Sequence, residues 1–134
     1  MLKEPPYYDD GAGDGGGYDG GEGPAYSVMA VLRAELTPLM RDIDAAFIYG
    51  PLARGVSTPN GDVDIMIIGR ALYADVIPHF IAASRRLGRT INPSVYGADE
   101  WRRKLACGNR VMLAIMQQPK IFVIGTEQAI PRRY

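Results

Sequence analysis

The chain has a single cysteine, Cys107, and a single histidine, His79, in 134 residues. A lone thiol excludes an internal disulfide and a cysteine-based zinc cluster, and a lone imidazole excludes a multi-histidine metal site. A reducing, cytoplasmic setting is the expectation that follows. Long apolar runs are missing as well, since none approaches the ~20 residues that a membrane-spanning helix needs. The opening Met1-Leu2-Lys3-Glu4-Pro5-Pro6 lacks the apolar core of an export signal. An excess of one charge is also absent, because 15 Lys and Arg balance 15 Asp and Glu. Such a balance gives no bulk attraction to polyanions, so neither nucleic acid nor a membrane surface is expected as a partner.

What is present divides the chain in two. Residues 1–24 are mostly glycine and acid with scattered tyrosines, a composition that buries too little apolar surface to offset its ordering entropy. This segment is expected to be a flexible tail, with one domain over residues 25–134. Within it, Gly11-x-Gly13-x-x-Gly16 matches the dinucleotide-binding string. That motif works only between a strand and a helix N-terminus, and neither flanks it here. Asp9, Asp10, Asp14, Asp19 and Glu22 lack the spacing of a calcium loop.

From Ser27 onward the apolar residues become periodic. Val28, Leu32, Leu36, Leu39 and Ile43 follow helical spacing, with Ser27 as the expected N-cap and Pro38 kinking or dividing the helix. Strands are expected over residues 45–49, 62–68, 91–96 and 120–124. Asp75 is expected to cap a helix carrying Val76, Ile77, Phe80, Ile81 and Leu87, with Pro78 in its first turn and Gly88 at its end. Short helices are expected at 98–106 and 109–117, around Gly108. Strands alternating with helices predict an α/β domain.

The chemistry is concentrated in Phe47-Ile48-Tyr49-Gly50-Pro51-Leu52-Ala53-Arg54-Gly55 and in Gly61-Asp62-Val63-Asp64. Residues two apart on a strand face one side, so Asp62 and Asp64 are expected to present their carboxylates together. Two ionised acids side by side repel unless a cation lies between them. Oxygen pairs of this kind suit Mg²⁺, which completes its shell with water and phosphate oxygens. Gly50 permits close approach, a helix starting after it would turn free N–H groups toward an anion, and Arg54 adds positive charge.

The segment resembles the Gly-Ser-x-Ala-Arg-Gly and Asp-x-Asp signature of the minimal nucleotidyltransferases in the DNA polymerase β superfamily. Gly50, Ala53, Arg54 and Gly55 match the first block, and Asp62 and Asp64 match the second. The resemblance runs from about Val28 to Ile124 and implies an α/β nucleotidyltransferase fold, a small mixed β-sheet with flanking helices. It also implies transfer of a nucleoside monophosphate, AMP from ATP as first choice, to a hydroxyl acceptor with the help of Mg²⁺ or Mn²⁺. Members of that superfamily include antitoxin partners of HEPN-type toxins, so a protein partner of that kind is implied too. Asp42-Ile43-Asp44 has the same acidic string without a glycine block and reads as a helix end.

Two positions depart from the signature. Pro51 replaces its serine and offers the phosphates neither a hydroxyl nor an N–H. Asn92 falls where the superfamily carries a third carboxylate, and an amide brings no negative charge and cannot act as a base. Asp99 or Glu100, just beyond, could replace it. These departures keep a second expectation alive, a catalytically weak or inactive nucleotide-binding module acting through protein partners. Plainer readings apply elsewhere. His79 is a polar position on its helix, Cys107 a half-buried small residue, and Trp101 a core or interface anchor. Arg85, Arg86 and Arg89, with Arg102, Arg103 and Lys104, read as a solvated helical face or as a surface for an acidic partner or a polynucleotide.

Overall fold

A computed structural model of the chain describes residues 24–132. The expected tail, the glycine string and the acidic cluster within it lie outside these residues, apart from Pro24.

Helix α1 spans Pro24–Leu36. It begins ahead of Ser27 because proline fits a first helical position, where no N–H is needed. Val28, Leu32 and Leu36 line its buried stripe. Pro38 does divide the pattern, and the chain continues as a 3-10 helix over Thr37–Asp42. Ile43, which the spacing grouped with the helix, instead opens strand β1, Ile43–Tyr49.

A single turn, α2 (Pro51–Arg54), leads to β2, Val63–Gly69. Helix α3 spans Tyr73–Leu87 and β3 spans Ile91–Tyr96. Helices α4 (Ala98–Ala106) and α5 (Arg110–Gln117) precede β4, Ile121–Ile124, and a last 3-10 turn covers Glu127–Ala129. Asn109 is the cap of α5, its side chain accepting from the Met112 N–H at 3.1 Å.

Helix α3 corrects three expectations. It starts at Tyr73, and Asp75 sits one turn in, accepting from the Leu72 N–H at 3.3 Å. Pro78 therefore falls in the second turn, where it withholds a hydrogen bond from the Ala74 carbonyl. Ile81, placed on the core stripe by spacing, is exposed because the helix turns Val76, Phe80 and Ala83 inward instead.

The four strands order as β3-β2-β1-β4. β1 runs antiparallel to β2 and β4, while β2 and β3 are parallel and joined through α3. This is the mixed sheet with flanking helices that was expected. Alternate residues of the central strands feed two cores. Ala46, Ile48, Val63, Ile65 and Ile67 pack with Leu32, Leu36, Val76 and Phe80 from α1 and α3. Ala45, Phe47, Met66 and Ile68 pack with Trp101, Met112 and Ile115 from α4 and α5. Each fully buried Leu, Ile or Phe contributes roughly 1.5–3 kcal/mol, so strands apolar on both faces are locked at the centre of the sheet. The acidic positions sit where that apolar run begins.

Candidate functional site

β1 ends at Tyr49, and Gly50 then bends the chain at φ 77° and ψ −156°. That region is essentially closed to residues with a Cβ. A Cβ on Gly50 would also lie 2.6 Å from Asp64 Oδ2, so the missing side chain is what lets this carboxylate close against the bend. The Gly50 N–H donates to Gln118 Oε1 at 3.2 Å, and its carbonyl accepts from the Arg54 N–H at 3.1 Å. Leu52 anchors α2 by burial, while Pro51 and Arg54 are exposed. A helix does start after Gly50 as expected, but four residues stack too few peptide dipoles for the anion argument to carry weight.

Asp62 immediately precedes β2, and Asp64 lies within it, opposite Tyr49 on β1 and Asn92 on β3. Asn92 Nδ2 donates to Asp62 Oδ2 at 3.1 Å and to Asp64 Oδ1 at 3.3 Å. One amide group reaching both carboxylates places them on the same side of the sheet edge. Its partial positive charge relieves the repulsion between the two acids, which is the task a cation would otherwise perform. The donor set suits a hard divalent cation: two carboxylates, plus the Asn92 carbonyl once the amide turns its oxygen inward. Among the described residues, no group of three or more Asp, Glu, His or Cys side chains is placed to hold a metal. Asp99 and Glu100 lie in the first turn of α4, and Asp99 pairs with Arg102 at 2.9 Å. Neither supplies the missing third acid.

Several neighbours of the acids were not singled out in the sequence. Tyr49 hydrogen-bonds Ser94 and lies near Asp64. Burial pushes its phenol pKa above the usual value, the Ser94 bond pulls the other way, and Asp64 and Tyr96 add to the rise. Gln118 arrives from far along the chain to hold the Gly50 amide. Arg89, read from sequence as part of a solvated face, is only 6% exposed. Its guanidinium donates to Ser57 Oγ at 3.1 Å and to the Gly61 carbonyl at 3.2 Å. No local string signals these contacts, because each depends on which strands pair and in what register.

The remaining candidates sort more plainly. Trp101 is completely buried in the second core, and its Nε1 has no hydrogen-bond partner. Cys107 is exposed rather than half-buried, because it follows the last turn of α4. His79 approaches Glu35 at 3.8 Å, and Arg86 pairs with the same carboxylate at 3.1 Å. A groove of about 350 Å³ opens between α3 and β3, lined by Tyr73, Phe80, Ile81, Arg85, Ile91 and Pro93. Ile91 and Pro93 alternate with Asn92 along the strand, so this groove lies on the other face from the acids.

No protein-family model and no curated protein sequence matches the chain. Solved structures similar to it include the following two. One is a toxin–antitoxin crystallised with AMP-PNP, with a TM-score of 0.49 and 10% identity over 75% of this chain and 75% of that one. The other is a protein from Sulfolobus solfataricus described as a suspected nucleotidyltransferase, with a TM-score of 0.41 and 12% identity over 74% of this chain and 81% of that one.

Proposed function

We propose that the chain is a metal-dependent nucleotidyltransferase that moves a nucleoside monophosphate, AMP from ATP, onto a hydroxyl acceptor. One observation carries this reading: Asp62 and Asp64 share one side of a sheet edge, with Gly50 bent directly against Asp64. In this reading Asp62 and Asp64 are the ligands of Mg²⁺ or Mn²⁺, and Asn92 fills the third position through its amide. Gly50, Pro51, Arg54 and Gly55 form the phosphate side, where the compact bend admits a triphosphate and Arg54 is free to turn toward it. The bound cation would supply charge neutralisation at the phosphates. Pro51 leaves one phosphate hydrogen bond unmade, a loss of about 1.5–3 kcal/mol of nucleotide binding. No described helix is long and apolar enough to cross a membrane, and a cytoplasmic setting belongs to the same reading.

A second reading is favoured by the Asn92 geometry. With an amide donating to both acids, the site has an internal substitute for one cation and, among the described residues, no third carboxylate to act as a base. It would then be a weak or inactive nucleotide-binding module that acts through a protein partner, such as a HEPN-type toxin.

Transfer from labelled ATP with Mg²⁺ or Mn²⁺ separates the two. Label incorporation by the native chain, abolished by Asp62→Ala with Asp64→Ala, supports the enzyme. Incorporation only after Asn92→Asp supports the module. Failure of every variant to bind ATP with either metal contradicts both.

A further inference from the structure

Asp62 lies outside the strand ladder, at the end of a loop that begins after Gly55, yet its carboxylate meets Asn92 squarely. Something must hold that loop end. The peptide groups on both sides of Asp62 are tied to the α3–β3 junction. The Gly61 carbonyl accepts from the Arg89 guanidinium at 3.2 Å, and the Val63 N–H donates to the Thr90 carbonyl at 2.8 Å. The same guanidinium nitrogen reaches Ser57 Oγ at 3.1 Å, so one side chain grips both ends of the loop. Gly61 is packed to match, since a Cβ there would lie 2.9 Å from Ser57 Oγ and 3.3 Å from the Thr58 carbonyl. Arg89 is itself fixed, its own carbonyl accepting from Ser84 Oγ at 2.6 Å.

Among the described residues, no carboxylate pairs with Arg89. Burying a guanidinium without an anion is costly, and an exposed lysine or a neutral residue would avoid that cost. The two N–H bonds of one guanidinium nitrogen serve both acceptors, and the planar group fixes their directions. We infer that Arg89 is a positioning residue that sets the Asp62 carboxylate at the distance Asn92 and a cation require. The metal part of this inference rests on the proposed function, whereas the loop-setting part does not. Outer partners of this kind typically alter metal affinity by roughly 10–100-fold when removed.

The test uses the full chain with Arg89→Met, Arg89→Lys and Ser57→Ala, and Arg86→Met as a control at a more exposed arginine in the last turn of α3. Two readouts are taken. The first is the pair of Asn92 side-chain amide resonances in ¹⁵N–¹H spectra without metal. The second is the Mn²⁺ affinity measured with a nonhydrolysable ATP analogue. The inference predicts that Arg89→Met shifts the Asn92 resonances and weakens Mn²⁺ binding at least tenfold, at a temperature where circular dichroism remains native. Arg89→Lys and Ser57→Ala should fall between that variant and the native chain, and Arg86→Met should leave both readouts unchanged. If Arg89→Met does not fold, Ser57→Ala and Arg89→Lys carry the same prediction. Unmoved Asn92 resonances in every folded Arg89 and Ser57 variant would overturn the inference. Native protein that binds no Mn²⁺ with the analogue, while the Asn92 resonances still move in the variants, would overturn the metal site and leave Arg89 as the residue that positions Asp62.

Discussion

At the Gly50 bend Asp64 is accommodated by something missing: a Cβ there would come within 2.6 Å of Asp64 Oδ2. At the α3–β3 junction and the start of β3 Asp62 is held by what three nearby residues supply, the Arg89 guanidinium on Gly61, the Thr90 carbonyl on Val63 and the Asn92 amide on Asp62 itself. The two regions grip one pair of acids from opposite sides by opposite means. Glycine spacing leaves a visible mark on a sequence, because few other residues survive at such φ values. A grip built from ordinary side chains leaves none until the parallel pairing of β2 with β3 is known.

Breaking the first grip has the largest expected effect. Gly50→Ala meets both a closed backbone region and Asp64, and should cost about 1–3 kcal/mol of stability in urea denaturation. It should also abolish metal-dependent binding of an ATP analogue. Gly88→Ala is the informative contrast, since its φ of 65° is also positive but nothing lies within 4 Å of the added Cβ. It should lower stability by about 1 kcal/mol and leave binding intact. Equal binding losses in both variants would remove the special standing of the Gly50 bend.

Altering the second grip comes next. Asn92→Asp puts a third carboxylate against Asp62 and Asp64 in place of an amide that donates to both. Thermal melting should fall in chelator and rise with Mn²⁺, with a larger metal-induced shift than the native chain shows. A metal-independent melting temperature for this variant would argue against any cation between the acids.

Tyr49 gives a smaller and pH-specific signal. Its pKa is raised mainly by burial, so the folded chain holds the phenol proton more tightly than the unfolded chain does. Stability from this source is complete below the ordinary tyrosine value near 10, and is lost as pH climbs through the raised value. Tyr49→Phe should flatten that alkaline decline, measured as urea midpoint against pH. The smallest effect is expected for Arg86→Ala. Arg86 pairs with Glu35 on an exposed surface, so the loss should stay within about 0–1 kcal/mol. Arg86 and Arg89 look alike in the sequence and differ entirely in their surroundings.

These arginines mark where sequence reading stops. Apolar runs that stop at glycine made β1 and β2 legible, because strands buried on both faces tolerate few polar interruptions. The division of the first helix at Pro38 was legible for an equally local reason, a missing N–H. Ile43 and Ile81 were misplaced because periodicity cannot tell which stripe a helix will bury, or where a 3-10 segment resets the phase. Asp62, Asp64 and Gly50 stood out as a spaced pattern, whereas Tyr49, Ser94, Gln118 and Arg89 meet the site only through tertiary contacts. The neutral net charge is a sum over two unlike stretches. Lys3 stands against Glu4, Asp9, Asp10, Asp14, Asp19 and Glu22, so residues 24–134 hold fourteen bases and nine acids. Balance over the whole chain therefore says little about the surface of the domain.

The central claim is that Asp62 and Asp64 jointly hold a divalent cation against a triphosphate. Calorimetric titration of Mn²⁺ with a nonhydrolysable ATP analogue tests it most directly, comparing the native chain with Asp62→Ala and Asp64→Ala combined. Saturable analogue binding that needs Mn²⁺ in the native chain, and that disappears in the double variant, is the predicted result. Binding of equal strength in both proteins, or none in the native chain, would contradict it.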